Sequence, residues 1–362
     1  MAIFNPNTVD FTKEEINAIS EAVFEKTYSN PMLADYFIIN NGVKKDQQIA
    51  ILGRMQTKLG KGSGGCEPTA TTNAIPMSQK VWSTSTISDR LAFCWTTDVK
   101  GTFFQWGTKN GVAKEDLTST DFANFILERM EDAMDEMHQR LFWFNDTDAA
   151  LVSASPAGVI TSTEDIDFWN KIDGAWKQLF AAGAANADRV SAGLSSRNGQ
   201  ATYALQKFTT TDRTNLVVSN TLDEMIKDAD ERLVDGGSVK LVCTKSVWDQ
   251  YRSELKFANV SFTTERLENG IEVLKADGLE LHKYSIWDRI IKEGFDNGTS
   301  YYLPHRILMY DTNTMQAATE EENTLSEVDI FYDKTLKKTF FDFQFDLDVK
   351  VIEEDYLIQM AY

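Results

Sequence analysis

A chain of 362 residues, 42% hydrophobic and carrying 22 Phe, 11 Tyr and 8 Trp, can bury one large core or two modest ones, which excludes a solvated low-complexity polypeptide. Its 55 acidic residues outnumber 36 basic ones, giving a formal charge of -19 that repels phosphate and weighs against a module gripping nucleic acid. Met1 to Pro6 lacks a positive region followed by an apolar stretch, and no run of about 18 apolar residues occurs, so neither a signal peptide nor a membrane span is expected; Cys66, Cys94 and Cys243 are too scattered for a disulfide framework or zinc cluster and read as reduced thiols.

The first predicted element is a helix from Phe11 to about Tyr28. Thr12 caps it, Glu15 completes a capping box, Phe11 staples against Ile16, and Ile16, Ile19 and Val23 form its apolar face before Asn30-Pro31 stops it. From Gly42 to about Lys114 the chain changes character: Gly60, Gly62, Gly64 and Gly65 and the threonines Thr69, Thr71 and Thr72 separate patches that alternate like strands. Leu91–Trp95 and Gly101–Trp106 are the best strand candidates. Joined by 96–100 they form a ribbon with too little core of its own, one that needs neighbours.

Thr118, Ser119, Thr120 and Asp121 cap the strongest element in the sequence. Behind them Phe122, Ile126, Met130, Ala133, Met134, Met137 and Leu141 recur at spacings of three and four, which predicts an amphipathic helix of roughly 25 residues, about 37 Å long, ending near Asn145 and Asp146. Glu128, Glu131, Asp132, Asp135 and Glu136 form its solvated flank, and the string Leu141–Phe144 at its end reads as packing. A helix over 162–182 follows, opened by Ser162 with Asp165 in the capping-box position, then one over 221–233 closed by Gly236 and Gly237. Ser238–Cys243 has a buried-strand pattern, 245–257 reads as a helix, and strands around 271–281 and 305–310 complete a compact mixed subdomain. At the C-terminal end Phe340–Val351 alternates apolar and polar residues, the mark of a long strand with one face buried.

Site chemistry is sparse. Gly60–Gly65 matches the letters of a dinucleotide fingerprint, but Cys66-Glu67-Pro68 follows where a helix is needed, and no Ser or Thr directly follows Lys61. His138, His282 and His305 do not make a paired-histidine metal pattern, no G-x-S-x-G elbow occurs, and no cysteine sits in a nucleophile signature. Asp223, Glu224, Asp228, Asp230 and Glu231 fall at helical spacing without the glycine and ligand order of a calcium loop and read as surface charge. No catalytic, cofactor-binding or metal residue is assigned.

The order of elements resembles the Hong Kong 97-type major capsid proteins of tailed double-stranded DNA phages. Local wording is similar to those of crAss-like and related phages of Bacteroidetes hosts: Asp121–Ile126 through Arg140–Asp146, Ile172–Gln178, Leu222–Ile226 with Val242–Ser246, His305–Asn313, and Phe345–Val349. The resemblance implies an α+β fold with an N-terminal arm (1–45), an extended E-loop and its flanking strands (46–116), a peripheral domain with a spine helix (117–165), an axial domain (166–324) and a returning strand (325–362). It implies a non-enzymatic shell subunit without cofactors, located in the virion and assembled in the host bacterial cytoplasm. Its partners would be copies of itself in hexameric and pentameric capsomers, portal, scaffolding and decoration proteins, and packaged double-stranded DNA enclosed without sequence-specific binding. Trp82, Phe93, Trp95, Phe103, Phe104 and Trp106 of the E-loop offer aromatic surface for inter-subunit contact. The lysine–asparagine cross-link of certain shells has no matching motif here, and no cross-linking lysine is assigned. An encapsulin-like compartment shares the implied fold; an acidic cytosolic α/β enzyme is the alternative from another class.

Overall fold

The computed structural model describes residues 31–52, 77–93, 133–154, 158–260, 265–266, 272–319, 328–333, 335–336, 338–352 and 356–362. The predicted helix over 11–28, the Gly60–Gly65 loop, Cys66, Cys94, the Gly101–Trp106 strand and the first part of the predicted long helix, 118–132, lie outside them.

The principal helices are α1 (133–144), α2 (Ala175–Ala185), α3 (Val217–Asp228), α4 (Lys245–Phe257) and α5 (Ser285–Gly294). The strands are β1 (Ile38–Asn40), β2 (Gln48–Leu52), β3 (Met77–Val81), β4 (Ser85–Phe93), β5 (Val190–Ser191), β6 (Val239–Cys243), β7 (Glu265–Arg266), β8 (Glu272–Ala276), β9 (Leu279–Lys283), β10 (Ile307–Asp311), β11 (Met315–Ala318), β12 (Val328–Asp333), β13 (Lys338–Val351) and β14 (Ile358–Ala361). The result is an α+β architecture. A seven-stranded mixed sheet runs β5-β14-β10-β6-β9-β8-β7, a second sheet runs β1-β11-β13-β12 with β4 also on β13, and β2 pairs with β3 alone.

Both faces of the seven-stranded sheet are buried, which explains why Val239–Cys243 and Ile307–Tyr310 read as near-continuous apolar runs. Leu241, Cys243, Ile307 and Met309 face one core with Val218, Leu222 and Met225 of α3 and Val247 and Trp248 of α4. Val242, Leu308 and Tyr310, one residue out of phase, face the other core with Leu141–Phe144 of α1, Trp176 and Leu179 of α2 and Trp287 and Ile290 of α5. Trp287 is the hub of that second core, with ring centroids 4.7 Å from Trp143 and 5.1 Å from Trp176 in edge-on geometry. Each such ring buries roughly 200 Å², about 5 kcal/mol of apolar transfer. The string Leu141–Phe144 is packing, as its place at the helix end predicts.

Several element boundaries differ from those expected. The helix expected over 162–182 begins only at Ala175, because Asp165 caps a single 3-10 turn, accepting from Asp167 N at 3.0 Å. Asn145 then pins the following stretch: its Nδ2 donates to Phe168 O at 3.0 Å, its Oδ1 accepts from Lys171 N at 2.9 Å, and its backbone carbonyl accepts from Gly174 N at 2.8 Å. A Cβ on Gly174 would lie 2.9 Å from Asn145 N. The helix expected over 221–233 starts earlier, at Val217, and breaks after Asp228; Asp230 caps a further short turn, Glu231–Val234. The strand expected around 271–281 is a hairpin of β8 and β9 over 272–283, whose turn residues Asp277 and Gly278 both take positive φ, 47° and 87°. Helix α5 has no predicted counterpart, since no side chain caps its start. β13 matches the expected long strand, and Phe345, Leu347, Val349 and Val351 enter the core in strict alternation.

Candidate functional site

The surface expected to seek neighbours is rooted in a polar junction between β3 and β4. Trp82 N donates to Gln47 O at 2.9 Å and Trp82 O accepts from Asp46 N at 2.9 Å, which ties the strands to the 43–47 turn. Ser83 N donates to Asp348 Oδ2 at 2.7 Å; Lys350 Nζ lies 3.4 Å from the same oxygen and donates to Ser83 Oγ at 3.2 Å. Burial pushes the Asp348 carboxyl above the usual carboxylate range despite these donors. Lys80 Nζ donates to Val351 O at 2.5 Å. The β2–β3 pair and the β4 edge of the β13 sheet are therefore anchored at this junction.

Beyond the roots the ribbons lose their cover. Gln48 and Ala50 of β2 and Gln79 and Val81 of β3 are exposed, although the ladder from Gln48↔Val81 to Leu52↔Met77 is complete. On β4 the last described buried side chain is Ile87; Ser88, Asp89, Arg90 and Ala92 are exposed. On β13 the last described buried position is Phe345, and the strand runs on to Lys338, about 23 Å at 3.3 Å per residue. Arg90 makes a bidentate pair with Asp342, its direct cross-strand partner, with both N···O distances 2.5 Å. Its guanidinium lies over the Phe340 ring, 5.9 Å from the centroid. These exposed contacts hold register; they do not supply a core.

Among the predicted contact residues, Trp82 is corrected by the structure. Its ring is 4% exposed and packs on Val43 and Ala318, because the 43–47 turn and β11 close over it within one chain. Phe93 ends β4 opposite Thr339. Its side chain, and Trp95, Phe103, Phe104 and Trp106, lie outside the described residues.

No family model matches the sequence, and no curated protein matches it. Solved structures do. The chain is similar to a structure of the satellite phage P4 procapsid including the size determination protein, at 9% identity over 93% of this chain and 98% of that one, with a TM-score of 0.48. It is also similar to structures from Mycobacterium phage Ogopogo (11% identity, 91% and 90% covered, TM-score 0.47) and Microbacterium phage Oxtober96 (13% identity, 91% and 89% covered, TM-score 0.45).

The histidines lie apart from the ribbons, each inside a packed network. His138 Nδ1–H donates to Met134 O at 2.8 Å, one turn back on α1. His282 Nδ1 shares a 2.8 Å hydrogen bond with the Tyr36 hydroxyl. His305 Nε2–H donates to Gln206 O at 2.7 Å, which leaves Nδ1 to accept from the Ser246 hydroxyl at 2.8 Å. That Ser–His contact joins residues 59 apart, and no motif signals it. The N-terminal amides of α4 beside it are already taken by Asp288, which accepts from Lys245 N at 2.5 Å and Ser246 N at 3.3 Å. A nucleophilic role would need such amides free for an oxyanion. Burial pulls all three imidazoles down to about 4, and Cys243 is a buried thiol pushed up by the same cause. Among the described residues no group of three or more His, Cys, Asp or Glu is placed to hold a metal ion, and no helix is long and apolar enough to cross a membrane.

Proposed function

We propose that this chain is a shell-forming subunit of the Hong Kong 97 type: the major capsid protein of a tailed double-stranded DNA phage, of the crAss-like and related Bacteroidetes group, joining copies of itself in hexamers and pentamers of an icosahedral head. The observation that carries the proposal is the exposed run on each strand pair: among the described residues, Gln48, Ala50, Gln79 and Val81 of the β2–β3 ladder and Ser88, Asp89, Arg90 and Ala92 of β4 along β13 stand in solvent. Among the described residues β2 and β3 pair only with each other, and β4 and β12 flank β13 as outer strands; a two-stranded ribbon is marginal alone, and an outer strand is a template for another chain. A neighbouring copy covers these exposed faces and pairs with an outer strand. The order of elements in the sequence supports the same assignment. In this role Phe93, Trp95, Phe103, Phe104 and Trp106 face the neighbouring subunit, and the protein performs no chemistry. Portal, scaffolding and decoration proteins are its further partners in the virion, and a charge of -19 suits a wall that encloses DNA without gripping it.

Negative-stain electron microscopy with light scattering on the purified chain tests the proposal. Closed shells, capsomers or sheets in the megadalton range are expected; a stable monomer or small oligomer at every salt concentration overturns it. Nucleic-acid content of particles then separates a phage head from a protein compartment. Because Leu52 and Met77 are direct cross-strand partners, residues 53–76 can be replaced by Asn-Gly, a two-residue hairpin turn. That variant should keep the wild-type circular dichroism and fail to assemble.

A further inference from the structure

A cavity of about 250 Å³ lies between the end of α1, residues 146–150 and 158–160, α2 and the 295–306 segment. Arg306 stands in its wall, 1% exposed, boxed by aromatic rings. The guanidinium carbon is 4.9 Å from the Trp176 ring centroid, 5.2 Å from both Phe144 and Phe180, and 5.9 Å from Phe295. Nε donates to Leu303 O at 2.8 Å and Nη2 to Tyr302 O at 3.3 Å, while Nη1 has no acceptor. Trp176, 1% exposed in the same wall, also has an indole N–H without an acceptor. Two buried donors lining one cavity therefore lack the same thing. Burial pulls the Arg306 guanidinium down to about 9, and among the described residues no carboxylate makes an ion pair with it. Asp146 and Asp148 in the lining are held by Lys177 Nζ at 2.6 and 2.7 Å.

We propose that this cavity binds a carboxylate carried on a small apolar or aromatic body, its two oxygens accepting from Arg306 Nη1–H and Trp176 Nε1–H. An unmet buried donor carries its full desolvation penalty, and a buried cation without an anion carries more. A carboxylate relieves both, since it offers two acceptor oxygens and matches guanidinium geometry. The rings lining the cavity suit an apolar body, and the volume is near the lower end for small-ligand sites. Both donor atoms are buried, so entry requires a neighbouring ring to move, and Phe180, 5.2 Å from the guanidinium carbon, is only half-buried. The carboxylate has two sources: a free small acid, or an acidic side chain of a second copy of this chain.

Calorimetric titration of the intact chain with benzoate, against benzyl alcohol as a neutral control of similar shape, decides the matter. Benzoate should bind about tenfold more tightly than the alcohol, the difference expected for a charge-assisted pair. Trp176→Phe, which keeps a ring and removes the N–H, should weaken benzoate severalfold in a protein whose circular dichroism is unchanged. Should that variant not fold, the benzoate-to-alcohol comparison on the wild type is sufficient. Binding that leaves the light-scattering mass unchanged assigns the site to a free acid; benzoate that lowers the mass of self-associated protein assigns it to a carboxylate of another copy. No benzoate binding, equal affinity for the alcohol, or unchanged affinity in folded Trp176→Phe overturns the proposal and leaves the cavity to water.

Discussion

Glu254 offers a sharp test of how the outer layer of the seven-stranded sheet is held. It is fully buried on α4, yet its carboxylate serves α3: Oε1 accepts from Val218 N at 3.1 Å and from Gln250 Nε2 at 2.8 Å, while Oε2 accepts from Ser219 N at 2.8 Å and Ser219 Oγ at 2.7 Å. Helix α3 has no local cap, because Leu216 precedes it in the left-handed region at φ 52° and offers no side-chain acceptor. Its first amides therefore depend on a residue 35 positions away. Glu254→Ala removes a charge-assisted cap, about 2 kcal/mol, and strands the Val218 amide, about 2 kcal/mol more, for a loss of about 4 kcal/mol. Glu254→Gln keeps the shape but turns a donor toward donors, and should lose about half as much. Urea unfolding followed by circular dichroism measures both, and amide exchange at Val218 and Ser219 should accelerate in each variant. A loss below about 1 kcal/mol for Glu254→Ala, with unchanged exchange, would refute the claim that α4 caps α3.

Acidification should weaken the folded subunit. His138, His282 and His305 are held near 4 against an ordinary 6.5, so their stabilisation is complete above 6.5 and drains away as pH falls toward 4, about 2 kcal/mol each by pH 5. Asp288 and Asp348 have raised values and oppose this, gaining stability as they protonate; urea midpoints at pH 7 and 5 should still fall, and less steeply in His305→Gln. Gly294→Ala places a methyl 2.1 Å from Trp169 Cζ2, an overpacking expected to cost at least about 2 kcal/mol and to lower the thermal midpoint by several degrees. Arg90→Ala should leave the urea midpoint of the subunit where it is, since its pair with Asp342 stands in solvent.

What the sequence by itself determined are the elements whose evidence is local. The alternation over Phe345–Val351, the apolar face of Met134, Met137 and Leu141 in the described part of the long helix, and the apolar runs of β6 and β10 follow from side-chain period within a few residues, and the structure keeps them. The tertiary structure alone decided the rest, for one physical reason: the deciding partner lies far along the chain. Asn145 sets where α2 begins and Glu254 lets α3 begin at Val217. Trp82, an exposed-ribbon candidate by its neighbours in sequence, is sealed by Val43 and Ala318. The Ser246–His305 contact and the two unmet donors of Trp176 and Arg306 have no signature at all, because hydrogen-bond satisfaction is a property of three-dimensional neighbours, and periodicity records only which face of an element is apolar.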